Sequence, residues 1–197
     1  MVAPKDKPEI LNVRTAARSQ HFHIEAVELR FSNGNERVFE RLAGTPAAGT
    51  VIIVAVPRPG TVLLVREYAV GLDRYELSLP MGRREPGETV LATANRELAE
   101  ETGYCAAHLE RLHTLSLAPS ILGYQAEIVL ALDLSPAALQ GDEAEVPEVL
   151  EWPLRKLDHV IESGEITEAR TLAALFLARD RLEYKERRKR RALRVNV

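Results

Sequence analysis

Glu97, Glu100 and Glu101 sit within five consecutive positions, with Arg96 as the one cation beside them. Residues three and four apart on a helix share a face, so a helical reading places all three carboxylates on one strip about a turn long. Val90, Ala94 and Leu98 repeat every four residues along another strip, which can pack inward. Like charges at this spacing repel one another. A hard dication relieves that repulsion, because Mg²⁺ and Mn²⁺ take carboxylate oxygens as ligands. An acidic run on its own is more often a solvated helix face, so the surrounding pattern has to decide. Gly82, Glu88, Arg96, Glu97, Leu98, Glu100, Glu101, Gly103 and Tyr104 together spell a glycine turn that runs into one acidic helix.

Those nine positions are the constrained ones of the Nudix box: a glycine, five residues, a glutamate, seven residues, then Arg-Glu-apolar-x-Glu-Glu-x-Gly-apolar. Tyr104 is the loosest fit. On these residues the chain resembles the Nudix hydrolases. The resemblance implies an α/β/α sandwich around a mixed sheet, and hydrolysis of a nucleoside diphosphate joined to a further group at its pyrophosphate P–O–P bond. Glu97 and Glu101 match glutamates that ligate metal, Glu100 matches one that shares a second ion, and the Met81 backbone carbonyl matches a frequent additional ligand. Two or three Mg²⁺ or Mn²⁺ ions per site are implied. Gly82, Glu88 and Arg96 match positions that shape the motif; the last two tie turn to helix, which makes Arg96 a structural cation and not a phosphate clamp. Such ions neutralise the pyrophosphate and polarise phosphorus, while a carboxylate takes the proton of the attacking water.

Outside the box, Pro119 lies sixteen residues past Gly103, a spacing that resembles the ADP-ribose branch of the family. The likeness runs over roughly residues 8–180 and includes Arg66-Glu-Tyr-Ala-Val-Gly71, Arg74-Tyr-Glu-Leu77 and Leu117-Ala-Pro-Ser120. It implies adenosine-containing substrates (ADP-ribose, NADH, diadenosine polyphosphates) with AMP among the products. The general base would come from the acidic loop Gly141-Asp-Glu-Ala-Glu145, Glu143 first and Glu145 next, and Glu100 counts with them among the catalytic carboxylates. Arg66, Glu76 and Pro119 become substrate-binding positions. Arg66 and Glu76 would flank the groove entrance, with an ordinary Arg–Glu pair as the competing reading. N-terminal strands in this branch often pack across a two-fold axis, so a homodimer is expected. Phe22 and Phe39 are read as core residues, stacking on adenine being the alternative.

Two other functions stay open at this level. One is a Nudix pyrophosphatase for another nucleotide or sugar nucleotide, against which the strands of residues 10–42 argue. The other is a non-catalytic regulator that binds ADP-ribose, against which the complete set of box glutamates argues. Composition narrows the field further. Hydrophobic residues are 46% and charged residues 28% of 197, as in a globular domain, and no apolar run is long enough to span a bilayer. The first residues lack a hydrophobic signal segment, so cytoplasmic residence is expected. The single cysteine, Cys105, cannot form an intramolecular disulfide or by itself a thiolate metal site, and reads as a packed small residue. The net charge of −3 conceals an asymmetry: from Lys185 onward there are seven Lys/Arg and one acid, leaving the remainder near −9. This basic strip reads first as the solvated end of a terminal helix, and does not suffice for a nucleic-acid partner.

The elements that must position these residues follow from pattern. Residues 1–47 are expected as a β-sheet extension, 48–184 as the hydrolase domain and 185–197 as a basic tail. A strand around Leu11–Arg14 precedes a hairpin of His23–Phe31 and Glu36–Leu42 around an Asn-Gly turn. Thr50–Val56 is a continuous apolar strand with Thr61–Arg66 as its expected hairpin partner. Tyr75–Leu79 leads into the box. Leu109–Leu117, Ala126–Leu134 and Glu148–Trp152 are further strands, Pro153 opens one helix, and Thr167–Arg181 forms another with Ala173, Leu175, Phe176 and Leu177 buried. There is no internal repeat.

Overall fold

Alternating apolar and polar side chains build the first three strands. β1 (Glu9–Arg18), β2 (His23–Arg30) and β3 (Glu36–Leu42) form an antiparallel sheet in that order. The β2–β3 register runs from Ile24↔Leu42 to Arg30↔Glu36, and the turn between them is closed by the Gly34 amide donating to the Phe31 carbonyl at 2.9 Å. The computed structural model describes residues 6–44, 49–137 and 145–195, with Ile161 and 184–195 as backbone only. The sheet belongs to a compact unit that draws on residues up to Gly49 and also on Ser116–Gln125. Leu42 bridges Leu122 in parallel, its amide donating to the Ile121 carbonyl at 2.8 Å while its own carbonyl accepts from Gly123 at 3.0 Å. So intimate is this seam that a β-carbon on Gly44 would lie 2.2 Å from the Gly123 carbonyl oxygen. Phe22 and Phe39, expected in the core, are instead exposed, at 59% and 46%. Three strands have few interior positions, and among the described residues of this sheet Ala26 and Val27 fill them.

The second unit comprises Thr50–Leu115 and the residues from Ala126 on. β4 (Thr50–Ala55), β7 (Met81–Arg83), β8 (Tyr104–Ser116) and β9 (Gln125–Pro136) form a mixed sheet in the order β7-β4-β9-β8. β5 (Thr61–Ala69), β6 (Arg74–Ser78) and β10 (Glu148–Pro153) form an antiparallel sheet in the order β10-β5-β6. The expected hairpin of Thr50–Val56 with Thr61–Arg66 is therefore corrected: the two lie in different sheets. β4 pairs in parallel with β9 from Thr50↔Ala126 to Ala55↔Ala131, and the Val56 amide continues that ladder to the Ala131 carbonyl at 2.9 Å. A strand buried on both faces reads as an unbroken apolar run and suits the centre of such a sheet, which is what Val51–Ala55 provide.

Among the described residues three α-helices complete the unit: α1 (Val90–Thr102), α2 (Leu157–Ser163) and α3 (Ala169–Val195). Ala94 and Leu98 of α1 pack on Val51, Ile53 and Ala55 of β4. Ile52 and Val54 point the other way by strand alternation, and α3 also packs on β4; the result is the mixed α/β arrangement anticipated. The buried stripe of α3 is Thr171, Ala174, Leu175 and Ala178, a helical 3–4–7 spacing. Of the four residues expected there only Leu175 belongs to it, and Leu177 is 37% exposed. Pro153 ends β10, and a 3-10 turn at Leu154–Lys156 precedes α2. The expected basic tail continues α3 as backbone helix to Val195. No helix among the described residues is long and apolar enough to cross a membrane.

Candidate active site

A three-residue strand brings the glycine turn against the acidic helix. β7 pairs with β4 through Ile52↔Met81, Val51↔Gly82 and Thr50↔Arg83, which sets Met81 and Gly82 beside α1. The helix starts where the Thr89 hydroxyl caps the Ala92 amide at 3.2 Å. It stops at Gly103, whose φ of 73° is left-handed and whose amide returns to the Ala99 carbonyl at 3.0 Å. Between these ends Glu97 and Glu101 are buried, at 8% and 6% exposure. Burial of two carboxylates on one turn demands partners. Glu101 Oε2 accepts from the Met81 amide at 3.2 Å. Glu97 lies against Gly82, where a side chain would collide with its carboxyl group.

Arg96 organises the rest. Its Nε donates to Glu88 Oε1 at 2.9 Å and its Nη2 to Glu88 Oε2 at 3.1 Å, a bidentate pair. Nη2 also donates to the Arg83 carbonyl at 3.0 Å, and Nη1 donates to Glu100 Oε2 at 2.8 Å. Glu97 Oε1 lies 3.0 Å from Nη2 as an ion pair. Glu88 further accepts from the Glu85 amide at 3.1 Å and the Thr93 hydroxyl at 2.8 Å. The guanidinium, followed by these donors, holds the Glu88 carboxyl down to about 2, and Glu88 first among its partners raises Arg96. Thr93 escaped the sequence reading, although a threonine one place before Ala94 on a packing strip was its signal. Asn95 escaped it too; its Oδ1 accepts from the Ala106 amide at 2.7 Å and ties α1 to β8.

The remaining candidates are spread more widely. Arg66 stands opposite Leu77, and Glu67 opposite Glu76; successive strand residues alternate faces, so Arg66 and Glu76 point to opposite sides of their sheet and do not flank one entrance. Arg66 pairs with Glu148 at 2.9 Å. Glu76 binds Thr167 and, at 2.9 Å, Arg74, and Thr167 ahead of Arg74 holds its carboxyl below the usual range. Glu145 accepts from the Tyr75 hydroxyl at 2.7 Å, which raises the tyrosine. Arg66, Tyr68, Tyr75 and Glu145 line a groove of about 590 Å³. Glu143 lies outside the described residues. Pro119 belongs to the N-terminal unit, in a groove of about 350 Å³ with Phe31, Phe39 and Ile121. Cys105 is half-buried with Sγ 3.2 Å from the Ser135 hydroxyl.

The family profile described as NUDIX domain matches residues 46–175. The chain is a Nudix hydrolase. A second profile, the NudE-type Nudix hydrolase N-terminal domain, matches residues 8–41. The chain is 45% identical to the ADP compounds hydrolase NudE of Escherichia coli over 90% of its own length and 94% of that protein's. It is 30% identical to the ADP-ribose pyrophosphatase of Bacillus subtilis over 84% and 91% of the two lengths. A solved ADP compounds hydrolase superposes with a TM-score of 0.87 at 44% identity, covering 93% of this chain and 98% of that one.

Nudix hydrolases generally use divalent metal ions, and the donor chemistry of this box fits such a group. Four carboxylates, Glu88, Glu97, Glu100 and Glu101, share one helix and its approach, with a single guanidinium contacting three of them. The cluster thus offers hard oxygen donors, with the Met81 peptide at its edge. Among the described residues no three carboxylates already converge on one point; Glu97 and Glu100 lean toward Arg96.

Proposed function

We propose that this Nudix hydrolase cuts the pyrophosphate bond of adenosine nucleoside-diphosphate derivatives such as ADP-ribose, NADH and diadenosine polyphosphates, releasing AMP. The observation that carries the reading is likeness along nearly the whole of an ADP compounds hydrolase, N-terminal domain included, joined to a box with every glutamate in place. Water adds to one phosphorus, the P–O–P bridge breaks, and the leaving phosphate takes the bridging oxygen. Glu97, Glu100, Glu101 and the Met81 carbonyl would hold two or three Mg²⁺ or Mn²⁺ ions, which supply charge neutralisation and polarisation of phosphorus when bound. Glu143 takes the proton from water, with Glu145 as its nearest rival, and Arg66, in the groove with Tyr68, Tyr75 and Glu145, contacts substrate. Arg96 and Glu88 keep the turn docked on the helix while this happens.

The protein works as a homodimer in the cytoplasm on this reading. The apolar exposure of Ile10 and Phe39, which share one face of the N-terminal sheet, supports a second copy packing there. The experiment is a panel of adenosine pyrophosphates assayed with and without added Mg²⁺, in H₂¹⁸O, alongside Glu101→Gln. AMP release that needs the ion and falls by orders of magnitude in the variant is expected. Turnover that ignores both the ion and the substitution would sink the assignment.

A further inference from the structure

The guanidinium of Arg96 spans more carboxylates than a fastener between turn and helix requires. Fastening needs only Glu88, and the bidentate pair with Glu88 uses Nε and one hydrogen of Nη2. The second hydrogen of Nη2 goes to the Arg83 carbonyl. The outward face of the same group is then turned to Glu100, through Nη1 at 2.8 Å, and to Glu97, 3.0 Å from Nη2. Two classes of contact result. The Glu88 and Arg83 contacts are fully hydrogen-bonded and reach back across the turn. The Glu97 contact is an ion pair on a nitrogen whose two hydrogens are already given to other acceptors. Glu100 is held by a single nitrogen on the partly exposed helix face.

We propose that Arg96 is a stand-in cation, neutralising Glu97 and Glu100 until a divalent ion takes them over, after which it keeps only Glu88 and the Arg83 carbonyl. This rests on the metal-dependent reading above and adds to it what balances these carboxylates before an ion arrives. Glu97 and Glu100 are three apart on one face and repel, and Glu97 is buried; a buried charge without a partner is strongly destabilising. An arginine that changes hands lets the box fold before an ion arrives. It also makes the guanidinium and the ion competitors for the same oxygens, and competition of this kind is reciprocal.

The test uses the full chain labelled with ¹⁵N-arginine, with Arg96 signals identified by their loss in Arg96→Lys. On addition of Mg²⁺, rotation of the Arg96 Nη1 group should speed up as Glu100 leaves, while the Nε–H signal held by Glu88 stays in place. Calorimetry on the same samples establishes that Mg²⁺ binds the wild type and that Glu101→Gln abolishes the binding. If Mg²⁺ binds to the wild type, and Glu101→Gln abolishes that binding, yet both Arg96 groups are unchanged, the hand-over is wrong and the metal-dependent function stands. Release of Nε together with Nη1 would likewise overturn it. Absence of any Mg²⁺ binding would remove the proposed function along with this inference.

Discussion

The carboxyl group of Glu97 occupies the space a side chain at position 82 would need: a β-carbon built on Gly82 falls 1.8 Å from Glu97 Cδ and 2.0 and 2.1 Å from its two oxygens. The obstructing atoms are the far end of a flexible side chain, not backbone. Gly82→Ala can therefore be relieved by swinging Glu97 aside, and the damage falls on the position of that carboxylate. The expected result is a small change in stability, within about 1 kcal/mol, together with a loss of Mg²⁺ affinity and activity of tenfold or more. Thermal melting and calorimetry on one preparation check it.

Glu88 gives the acid limb of the stability profile a definite shape. Its folded-state carboxyl is held at about 2 by Arg96, below the ordinary value near 4.3. A depressed pKa contributes stability that is complete above the unfolded value and drains away as pH falls toward the folded one. Glu88→Gln should cost about 1.5–3 kcal/mol at pH 7. The gap from wild type should begin to close below about pH 5 and be nearly gone by pH 2. Denaturant melts across that range measure it, and a gap independent of pH would show that the charge is immaterial.

Tyr75 and Glu145 offer a way to separate the two candidate bases. The phenol donates to Glu145 at 2.7 Å, so Tyr75→Phe acts on Glu145 directly. With Glu143 as the base, Glu143→Gln should lower kcat by roughly 10²–10⁴-fold, while Glu145→Gln and Tyr75→Phe stay within a few-fold. A shifted pH–rate profile in Tyr75→Phe would transfer the role to Glu145.

The exposed apolar residues of the N-terminal sheet predict association. Sedimentation should find a dimer for the natural chain and a monomer when Ile10 and Phe39, on one face of the sheet, are both replaced by Glu, since burying two unpaired charges at an interface is prohibitive. A monomeric wild type at micromolar concentration would refute this.

The box was legible because its chemistry is local. Glu97, Glu100 and Glu101 share a helix face by spacing alone, and the contact of Arg96 with Glu88 spans only eight residues. What the sequence concealed was non-local. Thr50–Val56 and Thr61–Arg66 look like a hairpin because they are adjacent and separated by Pro57-Arg-Pro-Gly60, yet the partners of β4 are β7 and, more than seventy residues on, β9. Nothing in an apolar run states which distant run it will lie beside. The side facing of Arg66 and Glu76 depended on a strand extending to Ala69, past where the apolar pattern stops. Phe22 and Phe39 stay exposed because a three-stranded sheet and its turns have few interior places, which aromatic character alone does not reveal.

The seam between Leu42 and Leu122 carries a consequence for anyone dissecting this molecule. The excursion bearing Pro119 is sequentially part of the hydrolase half but leans on strands laid down some eighty residues earlier. Cutting at Gly49 would not yield a tidy catalytic fragment; it would leave that excursion unbuttressed, its backbone amides and carbonyls bare where Leu42 had met them. Swapping the leading strands for those of a relative would therefore succeed only if the stretch from Ser116 to Gln125 travelled with them.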